Sequence, residues 1–432
     1  MQFYQDLFDY IEKSKTPFHA VAESARRLQA AGFAPLNEAE HWNLAPGGKY
    51  FVTRNQSSII AFVMPQQPEM GWRISAAHSD SPGFKVKSTS QKAGFTMLDT
   101  EGYGGMIRSS WLDRPLGIAG RVLVKTPTGV ESRLVDFGDT KAVIPHLAIH
   151  LDRKVNEGHN YDLKKDMQAV FAAGQKDACY QQILAQQAAC ETEDIVAQDM
   201  QLYCTEKGQL VGGEQEFALC PRLDDLACGW AALQGFLQAT PSQQGRIWCL
   251  FDNEEVGSGT RQGACGSFLP DVLARAAKEL GEDAQQQRIS LANSLLLSAD
   301  NGHAIHPNFA EMSDEGHPVR VGGGVVLKFN ASQKYTTNAV TAALFHSICS
   351  KAQVPVQEYY NRPDLPGGST LGNLLAAQVS IPMADIGLPQ LAMHSCVEMA
   401  GVQDIEWLRT ACEAWYNAEI RCTADGSYQV QA

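Results

Sequence analysis

Apolar residues recur at helical spacing over 2–13 (Phe3, Leu7, Ile11) and again over 21–31, then give way to short apolar runs at 50–53, 58–63 and 72–77. The first spacing predicts amphipathic helices, the second buried strands. From about Thr89 the texture changes to glycine-rich β segments: EGYGG at 101–105, an apolar run at 118–125, a TPTG turn at 126–129 and a further run at 130–137. A helix is expected near 177–189, with strands at 194–205 and 215–219. After Pro221 a helical pattern fills 226–237, and strand-like runs at 246–251, 294–299, 324–329, 380–384 and 390–393 alternate with helical stretches. The pattern predicts one α/β domain made of residues 1–88 and 219–432, interrupted by a smaller β-rich domain at 89–218.

Composition narrows the class. The 432 residues carry 48 Asp plus Glu against 35 Lys plus Arg, a formal charge of -13, which argues against a nucleic-acid binder because tracking phosphates needs a basic stripe. Hydrophobic residues at 44% and charged residues at 19% describe a globular chain with material for a core. No apolar run reaches the roughly 18 residues of a membrane span, and the opening residues read as an amphipathic helix instead of a signal peptide. A soluble, cytoplasmic protein is the expectation. Eleven cysteines, an odd number without a Cys-x-x-Cys pair, read as reduced thiols.

The informative polar residues fall where apolar strands stop. The run at 72–77 leads into His78 and Asp80, the run at 247–251 into Asp252, Glu254 and Glu255, the run at 294–299 into Asp300, and the run at 390–393 into His394. In an open α/β sheet, ligand sites assemble outside the carboxyl ends of the strands, so these segments are expected to converge on one crevice. Asp224, in the turn PRLDD at 221–225, is a fifth candidate ligand. Two histidines and three carboxylates suit Zn²⁺, Co²⁺ or Mn²⁺ better than the oxygen-only shells of Ca²⁺ and Mg²⁺. With one carboxylate bridging, five ligands give each of two metals three protein ligands and an open position, the layout of a two-metal hydrolase. In the adjacent pair Glu254 and Glu255, neighbouring extended residues point to opposite sides, so one can bind metal while the other faces the water as a general base. Each residue alone reads as a structural cap or a solvated charge; their joint occurrence carries the weight.

These segments, AHSDSP at 77–82, PRLDD at 221–225, DNEEVGS at 252–258, SAD at 298–300 with HAIHPN at 303–308, and LAMH at 391–394, resemble the aspartyl aminopeptidase type of di-zinc metallopeptidase. TPFH at 16–19 and IPHLAIH at 144–150 are similar too, so the resemblance spans essentially the whole chain. It implies a mixed-sheet catalytic domain with helices on both faces. It also implies that His78, Asp224 and Asp300 hold one metal, that Asp224, Glu255 and His394 hold the other, and that Glu254 is the base. Asp80 would orient the His78 ring. A homo-oligomer of twelve subunits is implied, with the inserted domain making subunit contacts and His150 reaching a neighbour's active site, where it could bond the developing oxyanion.

For specificity, Lys328 interrupts the apolar strand VVLKF at 325–329. The resemblance sets Lys328 and Tyr335 against the side-chain carboxylate of an N-terminal Asp or Glu of the peptide. Asp225, where relatives can have Asn, and the loop PGGST at 366–370 depart from the pattern, leaving a broad or neutral-residue aminopeptidase as the alternative preference. A dipeptidase or N-acyl amino-acid deacylase is a second alternative; a non-enzymatic scaffold is opposed by the intact base and ligand set. His146, four residues before His150, would share a face with it in a helix. His303 and His306 read as loop-fixing residues, and His19, His41, His159, His317 and His346 as structural ones.

Overall fold

The computed structural model describes residues 3–431. Gln2, with which the first helix was expected to begin, lies outside them; that helix runs Phe3–Lys13. The chain divides into two compact units. One comprises residues up to Asp80, Gly208–Met393 and Glu398 onward; the other comprises Ser81–Lys207 together with His394–Val397.

The first unit is built on a nine-stranded sheet in the order Ala34–Leu36, Lys49–Arg54, Ser58–Val63, Gly245–Phe251, Trp72–His78, Leu295–Ala299, Met383–Gly387, Val325–Phe329 and Val356–Tyr360. Four central strands, 245–251, 72–78, 295–299 and 383–387, run parallel. Their neighbours Ser58–Val63 and Val325–Phe329 run against them, so the sheet is mixed. Every residue of Trp72–His78, Gly245–Phe251 and Leu295–Ala299 is buried, which explains why these strands read as unbroken apolar runs: both faces are covered. On one face Trp248 and Leu250 pack with Trp230 and Trp415 of the helices Leu223–Gln238 and Val402–Asn417. On the other, Ile74, Phe251 and Phe62 pack with Phe268 and Leu371 of Phe268–Glu279 and Leu371–Gln378.

A five-stranded sheet, Gln209–Val211, Phe217–Cys220, Glu398–Gly401, Pro389–Leu391 and Gly302–His303, belongs to the same unit. The apolar run at 390–393 therefore enters this second sheet instead of the large one. The second unit is a six-stranded sheet in which every pair is antiparallel, ordered Gly129–Asp136, Leu116–Thr126, Ile195–Cys204, Gly83–Lys92, Phe95–Tyr103 and Ala169–Ala173. Its helix Asp177–Ala188 buries Tyr180 and Leu184.

The junctions expected at 88/89 and 218/219 fall at 80/81 and 207/208. Strand pairing decides this: Gly83–Lys92 pairs with Phe95–Tyr103 and Ile195–Cys204, whereas Phe217–Cys220 pairs with Glu398–Gly401, nearly 180 residues later. Local composition carries no signal of either partner. Among the described residues, no helix is long and apolar enough to cross a membrane.

Because Leu250 is fully buried between sheet and helix, Leu250→Ala should destabilise the first unit by about 2–5 kcal/mol through lost burial and an unfilled cavity. Val130→Ala, at an exposed strand position, should change stability by no more than about 0.5 kcal/mol. Comparing denaturant midpoints of the two variants checks this.

Candidate metal centre

Three adjacent parallel strands place their carboxyl ends side by side, with Phe251 opposite His78 and Ser298 opposite Ala76. His78 closes the strand Trp72–His78 and is buried. Its Nδ1 lies 3.0 Å from the backbone oxygen of Asp80, an acceptor only, so Nδ1 carries a proton and Nε2 is the nitrogen left to a metal that displaces its proton. That Nε2 stands 3.5 Å from Asp224 Oδ1. Asp224 enters from the start of the helix Leu223–Gln238, and Asp300 directly follows Leu295–Ala299. Donor atoms of His78, Asp224, Asp225 and Asp300, all buried, lie within 4.8 Å of one another. Donor atoms of His78, Glu254 and Glu255 form a second such group.

Glu254 and Glu255 open a 3-10 turn, Glu254–Val256, instead of the extended chain expected for them. Asp80 accounts for the turn: its Oδ1 and Oδ2 accept the backbone N–H of Glu254 and Glu255, each at 3.1 Å. The Asp80 carboxylate, expected to orient the His78 ring, is 3.5 Å from Nδ1, farther than the Asp80 carbonyl oxygen. One residue thus fixes His78 through its main chain and the Glu254–Glu255 pair through its side chain.

The site is short of positive charge. Burial, reinforced by Asp300 and Asp224, pushes the Asp225 carboxyl well above the usual range against the pull of His78. Burial likewise raises Asp300. The Glu254 carboxyl is pushed up to about 8 by burial, with His78 opposing and Asp300, Asp80 and Asp224 adding. For His78, burial lowers the pKa, but Asp224, Asp225, Asp80 and Glu254 together raise it well above the ordinary value. Asp225 Oδ1 is buried without a hydrogen-bond partner. Three buried carboxylates converging on an imidazole nitrogen are the donor set of a divalent cation, so the residues fit a metal.

His394 lies in the segment of the second unit at 394–397, where its Nδ1 is 3.0 Å from the Gly105 carbonyl, an arrangement that again leaves Nε2 to a metal. His150 is exposed in the second unit, in a loop instead of a helix, so helical spacing does not relate it to His146. His146 is held by Asp113, which accepts from its backbone N–H at 2.9 Å and lies 2.6 Å from its Nδ1. Lys328 is buried; its Nζ donates to the Asn301 carbonyl at 2.7 Å, stands 3.9 Å from Asp300 Oδ2 and lies 5.4 Å over the Tyr335 ring. Asp300, Tyr335 and Asp385 raise its pKa against the opposing effect of burial.

Sequence reasoning did not assign a site role to Asp225, Asn301 or Glu398. Asp225 Oδ2 accepts the backbone N–H of His78 at 3.1 Å. Asn301 donates to the Leu223 carbonyl at 3.0 Å and to Gln390 Oε1 at 2.6 Å, tying the residue after Asp300 to the residue before Asp224. Adjacency to Asp224 and Asp300 was the available signal for the first two. Nothing along the chain marks Glu398.

A buried cluster of carboxylates and an imidazole at the strand ends of an α/β sheet suits a metal-dependent hydrolase. The chain belongs to the M18 peptidases: the family model described as "Aminopeptidase I zinc metalloprotease (M18)" matches residues 10–416. It is 40% identical over 424 residues to a "Probable M18 family aminopeptidase 2" of Ectopseudomonas mendocina (strain ymp), covering 96% of this chain and 98% of that one. Among solved structures it is similar to the "Cryo-EM structure of the Ape4 and Nbr1 complex", with TM-score 0.93, 34% identity, and 96% and 85% of the two chains covered. It is also similar to the "Structure of S. cerevesiae mApe1 dodecamer", with TM-score 0.84, 27% identity, and 95% and 96% covered. The protein is thus an M18-family zinc aminopeptidase, a hydrolase of peptide bonds.

Proposed function

We propose that this aminopeptidase releases single N-terminal residues, with a preference for Asp or Glu, using two divalent ions and Glu254 as general base. The observation that carries the reading is the buried convergence of His78, Asp224 and Asp300, with Glu254 and Glu255 beside His78. His78, Asp224 and Asp300 would hold one ion, and Asp224, Glu255 and His394 the other; zinc is the first choice, cobalt or manganese the alternatives. When bound, the ions would polarise the scissile carbonyl, acidify the attacking water and anchor the neutral N-terminal amine, which confines cleavage to terminal residues. Glu254 would take the proton of that water and return it to the leaving amine. Asp80 keeps Glu254 and Glu255 in their turn throughout.

What supports an acidic preference is the buried Lys328, lying over the Tyr335 ring, near the cavity that begins three residues past Asp300. This cavity, of about 350 Å³, is lined by His303, His306, His317 and Arg362 among aromatic and apolar groups. Lys328 and Tyr335 would face the substrate carboxylate, in addition to the hold that Lys328 has on Asp300. A homo-oligomer, of twelve subunits as in the mApe1 dodecamer, would bring the exposed His150 to a neighbour's site to stabilise the oxyanion, with the second unit making subunit contacts. Cytoplasmic residence accords with the reduced-thiol reading of the cysteines.

Glu254→Gln should keep metal content near wild type and cut turnover by about 10²–10⁴-fold, whereas Glu255→Gln should lose metal. Metal analysis beside kcat distinguishes them, and the reverse pattern would sink the assignment of the pair. Lys328→Met should lower kcat/KM on N-terminal Asp and Glu by about 10²-fold and spare or raise it on Leu. A uniform loss would assign Lys328 to Asp300 alone and leave a broad or neutral-residue aminopeptidase. His150→Ala should lose activity with metal content and assembly unchanged, and subunit exchange with Glu254→Gln protein should restore part of it. Verified exchange without recovery would confine His150 to its own chain.

A further inference from the structure

Asp224 stands at the head of the helix Leu223–Gln238 but outside its regular winding: its backbone, at φ -85° and ψ 108°, is not helical. Arg222, at the position before the helix, adopts φ +57° and makes no side-chain capping bond to the first turn. A buried backbone N–H that no helical turn satisfies must find its acceptor elsewhere. For Asp224 that partner is Glu398, whose Oε2 accepts the Asp224 N–H at 2.9 Å. Glu398 is 174 residues away in sequence, arrives on the strand Glu398–Gly401 and lies opposite Cys220, four residues before Asp224. It is 2% exposed.

Accepting this N–H does not by itself call for a carboxylate. A neutral amide would accept the same bond, and burying an ionised group near Asp224, Asp225 and Asp300 carries a desolvation cost that an amide avoids. What the glutamate provides is reach and a rigid base. The antiparallel pairing of Phe217–Cys220 with Glu398–Gly401 fixes both ends of the bond, so the Asp224 backbone is held between its own strand and a neighbouring one. Its carboxylate, 3.5 Å from His78 Nε2, is thereby held where the donors converge.

We propose that Glu398 is a positioning residue of the metal centre, setting the backbone of Asp224 so that its carboxylate can serve as ligand. The proposal rests on the reading of Asp224 as a metal ligand. Outer groups that orient metal ligands affect affinity by about 10–100-fold when removed.

Two substitutions separate reach from charge. Glu398→Gln keeps an acceptor oxygen at the same distance along the side chain and removes the charge; Glu398→Asp keeps the charge and withdraws it by one methylene. Zinc affinity, measured by competition with a chromophoric chelator, should stay within about threefold of wild type for Glu398→Gln and weaken by about 10–100-fold for Glu398→Asp. Melting of both proteins in EDTA should remain within a few degrees of wild type, showing that the change lies in the site and not in the fold. The opposite order, with Glu398→Asp normal and Glu398→Gln weakened, would make charge the operative property and overturn the proposal. Equal affinity in both variants would overturn it too, as would losses matched by equal falls in metal-free stability. Asp224→Ala serves as the separate control: if it retains wild-type zinc affinity, the ligand reading fails independently of Glu398.

Discussion

Like charges forced together away from water govern this molecule. His78, Asp224, Asp225 and Asp300 bring donor atoms within 4.8 Å of one another, and every one of these residues is buried. In a low-dielectric site such carboxylates hold protons or bind a cation; they do not coexist ionised and uncompensated. The raised Asp225, Asp300 and Glu254 carboxyls and the raised His78 describe the protonated resolution of that conflict. A divalent ion resolves it differently, by replacing the protons, which is the resolution a zinc aminopeptidase uses.

Keeping mutually repelling groups together demands a rigid frame, and the nine-stranded sheet supplies it. Three parallel strands buried on both faces end in line, so His78, the Glu254–Glu255 turn and Asp300 project from one edge. Backbone N–H groups then serve as donors to a surrounding ring of carboxylates. Asp80 accepts from Glu254 and Glu255, Asp225 from His78, and Glu398 from Asp224. In this arrangement the main chain of His78, Asp224, Glu254 and Glu255 is held by carboxylates bonded to their peptide groups.

Lys328 illustrates how one side chain answers to two demands. A buried ammonium needs anions or carbonyls around it, and here Asn301 and Asp300 provide them. The same position, over the Tyr335 ring, would serve to recognise an acidic substrate.

Residues that follow apolar runs were legible because strand ends of an α/β sheet are where sites form, and a run's end is visible locally. His78, Glu254, Glu255 and Asp300 could therefore be singled out from the chain as candidates, and the α/β class was legible, since doubly covered strands require continuous apolar runs. The junctions at 80/81 and 207/208, the placement of 389–391 in a second sheet and the 3-10 turn at Glu254 were not, because each depends on a partner far along the chain. Lys328 could be singled out as a charge in an apolar strand, but its bond to Asn301 could not. Glu398 carried no signal at all. Chain order determines which residue types end which strands; only tertiary pairing decides which backbone N–H meets which carboxylate, because those bonds join residues 147 to 175 positions apart.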